Sequence, residues 1–200
     1  MVMKQLVLAS GNSDKLREVR QLLAGSGIQL IGLNEMSGTP QLTEPFDTFA
    51  ENASHKALVI ARHSHLPALA DDSGLVVEAL DGRPGVHSSR YGQTDQERIE
   101  RLLAELMDVP PERRVARFVC VLALAHGDDI IGMWEGVAEG IITAEPHGTS
   151  GFGYDPVFYY PPLRLTFAEM LPEQKNSVSH RGHALRAMSG QLPQLLAALV

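Results

Sequence analysis

The run Ser10-Gly11-Asn12-Ser13-Asp14-Lys15 follows a short apolar stretch and ends where helical spacing begins. A strand end, a glycine turn and a helix N-terminus in that order aim backbone N–H groups and the helix dipole at one spot, which favours phosphate. Lys15, in the first helical turn, can reach the same anion. The segment is not a Walker A loop, which needs G-x-x-x-x-G-K-[ST]. Taken alone, it reads more simply as a strand-to-helix turn with Ser13 or Asn12 as N-cap.

Asp71-Asp72-Ser73-Gly74 places two adjacent carboxylates after an apolar run. Such a pair is costly unless it is solvated, protonated or shared with a cation. Strand ends in α/β sheets are where ligands usually bind. A hard cation such as Mg²⁺ suits the position, because it takes oxygen ligands and keeps several waters. A solvated Asx-turn closed by Ser73 and Gly74 explains the same residues as well. Glu44, a further carboxylate, is on its own a loop acid. Asn52 and Lys56 are four apart and share a helix face, so Lys56 could face a phosphate, although a lysine is usually a solvated surface residue.

Gly151-Phe152-Gly153-Tyr154-Asp155-Pro156 sets two aromatics between glycines. The glycines allow close approach of the backbone to a ligand, and Phe152 or Tyr154 could stack on a planar base. The alternative is a loop whose aromatics are tucked into the core. Lys175, His180 and Arg181 gather three donors around Ser179, itself a natural N-cap. Each segment is a weak signal alone; together they supply phosphate donors, a carboxylate cluster for a hard metal, a stacking ring and donors for a planar edge. Those are the parts needed to bind a nucleoside triphosphate.

The elements that must position these residues follow from periodicity. Residues 5–9 predict a strand, and Leu16, Val19, Leu22 and Leu23 form one helical face that Gly25 ends. A second strand is expected at 29–33. Thr48 to Glu51 reads as a capping box opening a helix with the apolar stripe Phe49, Ala53, Ala57, Ile60 and Ala61. Residues 67–70 predict a strand that stops at the acidic pair, and 75–79 another. Residues 81–85 are a turn by composition. A second capping box, Thr94 to Glu97, opens a helix through Leu106. A long strand at 115–125 turns at 126–129 into another at 130–139. Residues 145–162 carry little periodicity, and a last helix runs from about Ser179 toward Leu196, disturbed at Pro193. Strands alternate with helices early and pair as a hairpin later, which predicts an α/β domain with a mixed sheet flanked by helices and two lobes.

The chain has 200 residues, 44% hydrophobic and 20% charged, enough for one domain with its own core. This balance argues against disorder, collagen and coiled coil. A net charge of −7 disfavours a broad face for nucleic acid or an anionic membrane. The single cysteine, Cys120, excludes an intramolecular disulfide and lies in an apolar run that reads as a buried strand, with no neighbouring His or Lys in sequence to make it reactive. The first apolar run is too short for a signal peptide, and no stretch approaches the ~20 residues of a membrane span. The expectation is a cytoplasmic protein that binds neither nucleic acid nor membrane.

In combination, Ser10-Gly-Asn-x-x-Lys15, Phe49-x-Glu-Asn-Ala-x-x-Lys56-Ala, Asp71-Asp-Ser-Gly74, Gly151-Phe-Gly-Tyr-Asp-Pro156 and Lys175-x-x-x-Ser-His-Arg181 resemble the ordered motifs of the inosine triphosphate pyrophosphatase family. The resemblance runs from Leu6 to about Ala187. Ser10 stands where many members have Thr, one hydroxyl for another. It implies an elongated mixed sheet, an active site in the cleft between two lobes, a single domain over residues 1–200 and a homodimer. It also implies Mg²⁺-dependent hydrolysis of noncanonical purine triphosphates (ITP, dITP, XTP) to a monophosphate and pyrophosphate. On it, Ser10, Gly11, Asn12, Ser13, Asp14 and Lys15 would hold the triphosphate with Lys56, and Ser73 would lie near the phosphates. Asp72 would be general base and metal ligand, and Glu44 a second metal ligand. Phe152, Gly153, Tyr154, Asp155, Lys175, His180 and Arg181 would hold the base and sugar-phosphate end. A pyrophosphatase of different base choice, such as one for modified pyrimidines, would use similar phosphate chemistry. A non-hydrolysing nucleotide sensor would not need the Asp71-Asp72 pair.

Overall fold

Apolar runs with turn residues between them build a seven-stranded sheet in the computed structural model, which describes residues 4–199. The strands are β1 (Lys4–Leu8), β2 (Ile28–Gly32), β3 (Ala68–Val77), β4 (Val115–His126), β5 (Asp129–Ile142), β6 (Phe158–Tyr160) and β7 (Leu165–Thr166). Their order is β2-β1-β3-β4-β5-β6-β7. β1 pairs in parallel with both β2 and β3, and β6 is antiparallel to β5 and β7. The sheet is therefore mixed, as the alternation of elements predicts. The helices are α1 (Ser13–Leu22), α2 (Phe49–Ser64), α3 (Asp95–Glu105), α4 (Pro172–Val178), α5 (His180–Ser189) and α6 (Leu192–Ala197). Among the described residues no helix is long and apolar enough to cross a membrane.

The chain divides into two compact units. The first comprises the residues through Asp72, Cys120–Gly136 and the chain from His183 onward. Its core joins Leu6, Leu8, Leu69, Leu122 and Leu124 of the strands to Val19 and Leu23 near α1 and to Leu185, Met188 and Leu192 near the C-terminus. Cys120 is part of this core and fully buried, the structural role its neighbours predict. The side chain of Leu22, expected on the same helical face, lies outside the described residues. The second unit comprises Ser73–Val119 and Val137–Gly182. Its core gathers Leu75, Val77, Ile99, Leu102, Phe118, Phe158 and Phe167, with the last three rings in mutual contact.

Four expectations are corrected. The strand expected to stop at the acidic pair instead continues through it, so β3 is one strand and no Asx-turn forms. The capping box at Thr48 is only half made. The Thr48 hydroxyl accepts from the Glu51 N–H, but the Glu51 carboxylate accepts from that same hydroxyl at 2.6 Å instead of from the Thr48 N–H. At Thr94 both halves form, because Glu97 Oε2 accepts from the Thr94 and Gln93 amides. The single helix expected from about Ser179 toward Leu196 is two, α5 and α6, and an unexpected α4 precedes them: it starts at Pro172 with Gln174 accepting from the Leu171 N–H, and Ser179 separates it from α5. Pro193 lies in the first turn of α6, where its missing N–H costs nothing, so it starts a helix rather than disturbing one.

Candidate active site

In the first unit, β3 carries Asp71 and Asp72 side by side, 2% and 4% exposed. Successive side chains of a strand project to opposite faces, so each carboxylate can find its own partner. Lys15, one turn into α1, sits 3.0 Å from Asp71 Oδ2. Lys56, from α2, donates to Asp72 Oδ1 at 2.9 Å and to Glu44 Oε1 at 2.7 Å. Lys56 is only 5% exposed, which rules out a solvated surface lysine.

Sequence reasoning left Asn52 without a role, and the structure supplies one. Asn52 lies one turn before Lys56 on the buried face of α2. Its side chain both accepts from the Phe46 N–H and donates to the Phe46 carbonyl, each at 3.0 Å. That two-bond clasp fixes the loop two residues beyond Glu44 and so brings Glu44 to Lys56. An Asn on the inner face of an amphipathic helix was the signal, since a buried amide must be matched by polar partners.

The electrostatics follow from burial. Burial pushes the Asp72 carboxyl up, Lys56 pulls it down and Glu44 pushes it up again, leaving it at about 6 instead of 3.8. Burial acts upward on Glu44 too, but that group is less deeply placed, and the charge and hydrogen bond of Lys56 hold it below its ordinary value. Burial opposes the charge on Lys56, and the surrounding Asp72, Asp71 and Glu44 carboxylates outweigh it and raise its affinity for the proton.

Two ammonium groups thus face three carboxylates, and a further cation is electrostatically welcome there. Asp72 Oδ2 is buried and accepts no hydrogen bond, which marks it as an oxygen ligand to spare. Among the described residues no three His, Cys, Asp or Glu side chains are grouped to enclose a metal ion. The residues fit a hard ion that keeps waters and binds through one or two carboxylates plus ligand oxygens, which is the habit of Mg²⁺.

At the start of α1 the plain and the chemical readings coexist. Asn12 is the N-cap, its Oδ1 accepting from the Asp14 and Lys15 amides at 2.8 and 3.2 Å. Ser10 Oγ accepts from the Asn12 N–H at 3.3 Å. Gly11 and Ser13 are exposed on the same turn. The amides that could cradle a phosphate are held by short polar side chains that a stronger acceptor can replace.

In the second unit, Asp155 is 3% exposed and its Oδ2 accepts from the Phe152 N–H at 2.8 Å and from Lys175 Nζ at 2.6 Å. Lys175 Nζ lies 4.6 Å from the centre of the Phe152 ring, and the Arg181 guanidinium 5.9 Å from it. Asp155 therefore organises the loop and a lysine. Tyr154 is buried, its hydroxyl donating to the Ser88 carbonyl at 2.9 Å, and burial drives its pKa upward. Of the two aromatics, Tyr154 belongs to the core, and the half-buried Phe152 is the ring left to stack on a ligand. His180 stacks on Phe118 at 4.7 Å with the rings 13° apart. Ser179 caps α5 by accepting from the Gly182 N–H. Lys175 stands on α4, and Arg181 opens α5 beside His180. Ser73 follows Asp72 on β3 and is half-buried.

The chain is similar to known proteins over nearly its whole length. A model described as the Ham1 family matches residues 6–191. The chain is 47% identical to the dITP/XTP pyrophosphatase of Symbiobacterium thermophilum, over 98% of each chain. It is also 47% identical to that of Yersinia pseudotuberculosis, over 93% of this chain and 96% of the relative. The structure of a HAM1 protein from Coxiella burnetii superposes with a TM-score of 0.89 at 46% identity, covering 96% of this chain and all of the other. The Staphylococcus aureus Ham1 protein gives 0.86 at 35% identity, covering 96% and 99%.

Proposed function

Because the chain belongs to the Ham1 family, we propose that it hydrolyses noncanonical purine nucleoside triphosphates (ITP, dITP and XTP) to the monophosphate and pyrophosphate. In this reading it works with Mg²⁺ as a homodimer of single catalytic domains in the cytoplasm, and it clears such nucleotides from the pool. The observation that carries the reading is the acidic pair buried mid-strand, with each carboxylate on its own lysine. A structural core would not place four charges there.

Asp72 and Glu44 would hold the Mg²⁺, with waters and phosphate oxygens as its remaining ligands. When bound, the ion supplies positive charge that offsets the charge developing on the pyrophosphate leaving group. The water must attack the α-phosphorus in line, and a carboxylate beside it takes its proton. Asp72 is placed for that task, with Oδ1 on Lys56 at 2.9 Å and Oδ2 buried without a hydrogen bond. Lys15 and Lys56 shift part of their charge from Asp71, Asp72 and Glu44 to the phosphate oxygens. Because more charge sits on those oxygens in the transition state, the lysines stabilise it more than the bound substrate. Ser10, Gly11, Asn12, Ser13 and Asp14 contribute the exposed turn and its amides, and Ser73 a hydroxyl next to the base.

Phe152 stacks on the purine, with Gly153 allowing its close approach, while Tyr154 and Asp155 brace the loop. Hypoxanthine and xanthine offer an acceptor at O6 and a donor at N1, the reverse of adenine. Donors from Lys175, His180 and Arg181 match O6 and leave an adenine amino group opposed to a donor. Each unmatched buried group costs about 1–3 kcal/mol, enough for a tenfold or greater preference. The test is a panel of triphosphates assayed for pyrophosphate release with Mg²⁺. ITP and XTP should stand well above GTP, with GTP at or above ATP, and Arg181→Ala should flatten that ranking. Equal turnover of all purines, or equal slowing of each by Arg181→Ala, contradicts the base-reading role.

A further inference from the structure

The loop bearing Phe152 is held at its tip from outside the loop. Gly151 and Gly153 have φ of 78° and 61°, so Phe152 lies between two residues with wide backbone freedom. The direction of its ring is set by whatever fixes the amides on either side. The Phe152 N–H is fixed within the loop, by Asp155. The Gly153 N–H donates at 2.7 Å to Asp95 Oδ2, 58 residues earlier in the chain. Arg98 Nη1 donates to the other oxygen of the same carboxylate at 2.6 Å, which stops it turning away.

Asp95 is the first residue of α3, where a carboxylate also favours the helix dipole. That ordinary role explains neither the contact with Gly153 nor the bracing by Arg98. A cavity of about 560 Å³ lies against the loop, lined among others by Asp95, Ile99, Leu103, Pro146 and Phe152. On that side the loop borders open space.

We propose that Asp95 is a positioning residue for base recognition, holding the Gly153 amide so that the Phe152 ring is preset for the purine. The proposal rests on Phe152 being the stacking ring. A ring preset before binding spares the ordering cost on association, so the effect belongs in KM rather than kcat.

Asp95→Ala should raise the KM for XTP about 5- to 30-fold, as expected for losing one charge-assisted hydrogen bond, with kcat within about twofold. Asp95→Asn keeps an acceptor for the Gly153 N–H and should return KM to within about threefold of the parent protein. Inorganic tripolyphosphate, which has no base, should inhibit all three proteins equally. Amide hydrogen exchange of the peptide spanning Phe152 and Gly153 should quicken in Asp95→Ala and stay slow in Asp95→Asn. An unchanged KM in Asp95→Ala overturns the proposal. So does unchanged exchange, or tripolyphosphate inhibition that weakens as much as XTP binding. A parent protein inactive on every purine triphosphate would overturn the functional reading instead, and the exchange comparison would still decide whether Asp95 tethers the loop.

Discussion

Asp72→Asn should lower turnover by roughly two to four orders of magnitude while the protein stays folded. The substitution preserves shape, and an Asn oxygen can still accept from Lys56 where Asp72 Oδ1 does at 2.9 Å. What it removes is a proton acceptor and a negative charge, so the loss falls on the chemical step. The same variant should change the pH dependence of the metal-free protein. The folded-state pKa of Asp72, about 6, lies above the ordinary 3.8, so the folded state binds this proton more tightly than the unfolded chain does. Its contribution therefore becomes less favourable as pH rises from 3.8 to 6 and stays so above. Denaturation at several pH values should show that decline in the parent protein and not in Asp72→Asn. The midpoint belongs to Asp72 and Glu44 as a pair. Near-normal turnover in the folded variant would remove Asp72 from the mechanism.

Lys56→Met should cost both activity and stability. The Lys56 ammonium bridges Glu44 and Asp72, and its removal leaves two carboxylates facing each other in a buried place. Breaking a buried pair by deleting one partner typically costs about 3–5 kcal/mol, because a charge remains without compensation. The stranded carboxylates can relieve this by taking up a proton, so the destabilisation should be larger at pH 7 than at pH 5. Denaturant titrations at the two values measure it directly. A variant as stable as the parent at both would mean that Lys56 does not hold the cluster together.

Much of this arrangement was legible in the sequence, where the reason was local. The strand before Ser10, the capping box at Thr94 and the turn at Gly127 each follow from neighbours a few residues apart. The sequence marks the acidic pair as a cation site or an Asx-turn at the end of a strand, because two adjacent aspartates are poor strand residues, whereas β3 runs through it. What keeps them in β3 is non-local: Lys15 and Lys56 come from two different helices. Helical spacing locates Lys56, but its burial rests on the distant Asp72 and Glu44. Phe152 and Tyr154 were indistinguishable in sequence, since the choice between them rests on Tyr154 meeting the distant Ser88 carbonyl. Asp95 reads as nothing more than a helix-start acid until Gly153 is seen beside it. In the same way, α4 is too short for its periodicity to show in sequence, although Pro172 and Gln174 mark its start.

In the proposed reaction water attacks the α-phosphorus of a noncanonical purine triphosphate. Hydrolysis of XTP by the purified protein with Mg²⁺ in ¹⁸O-labelled water, followed by mass analysis of both products, tests it most directly. Label should appear in the nucleoside monophosphate and none in the pyrophosphate. Label in the pyrophosphate, or orthophosphate as the first product, would contradict it.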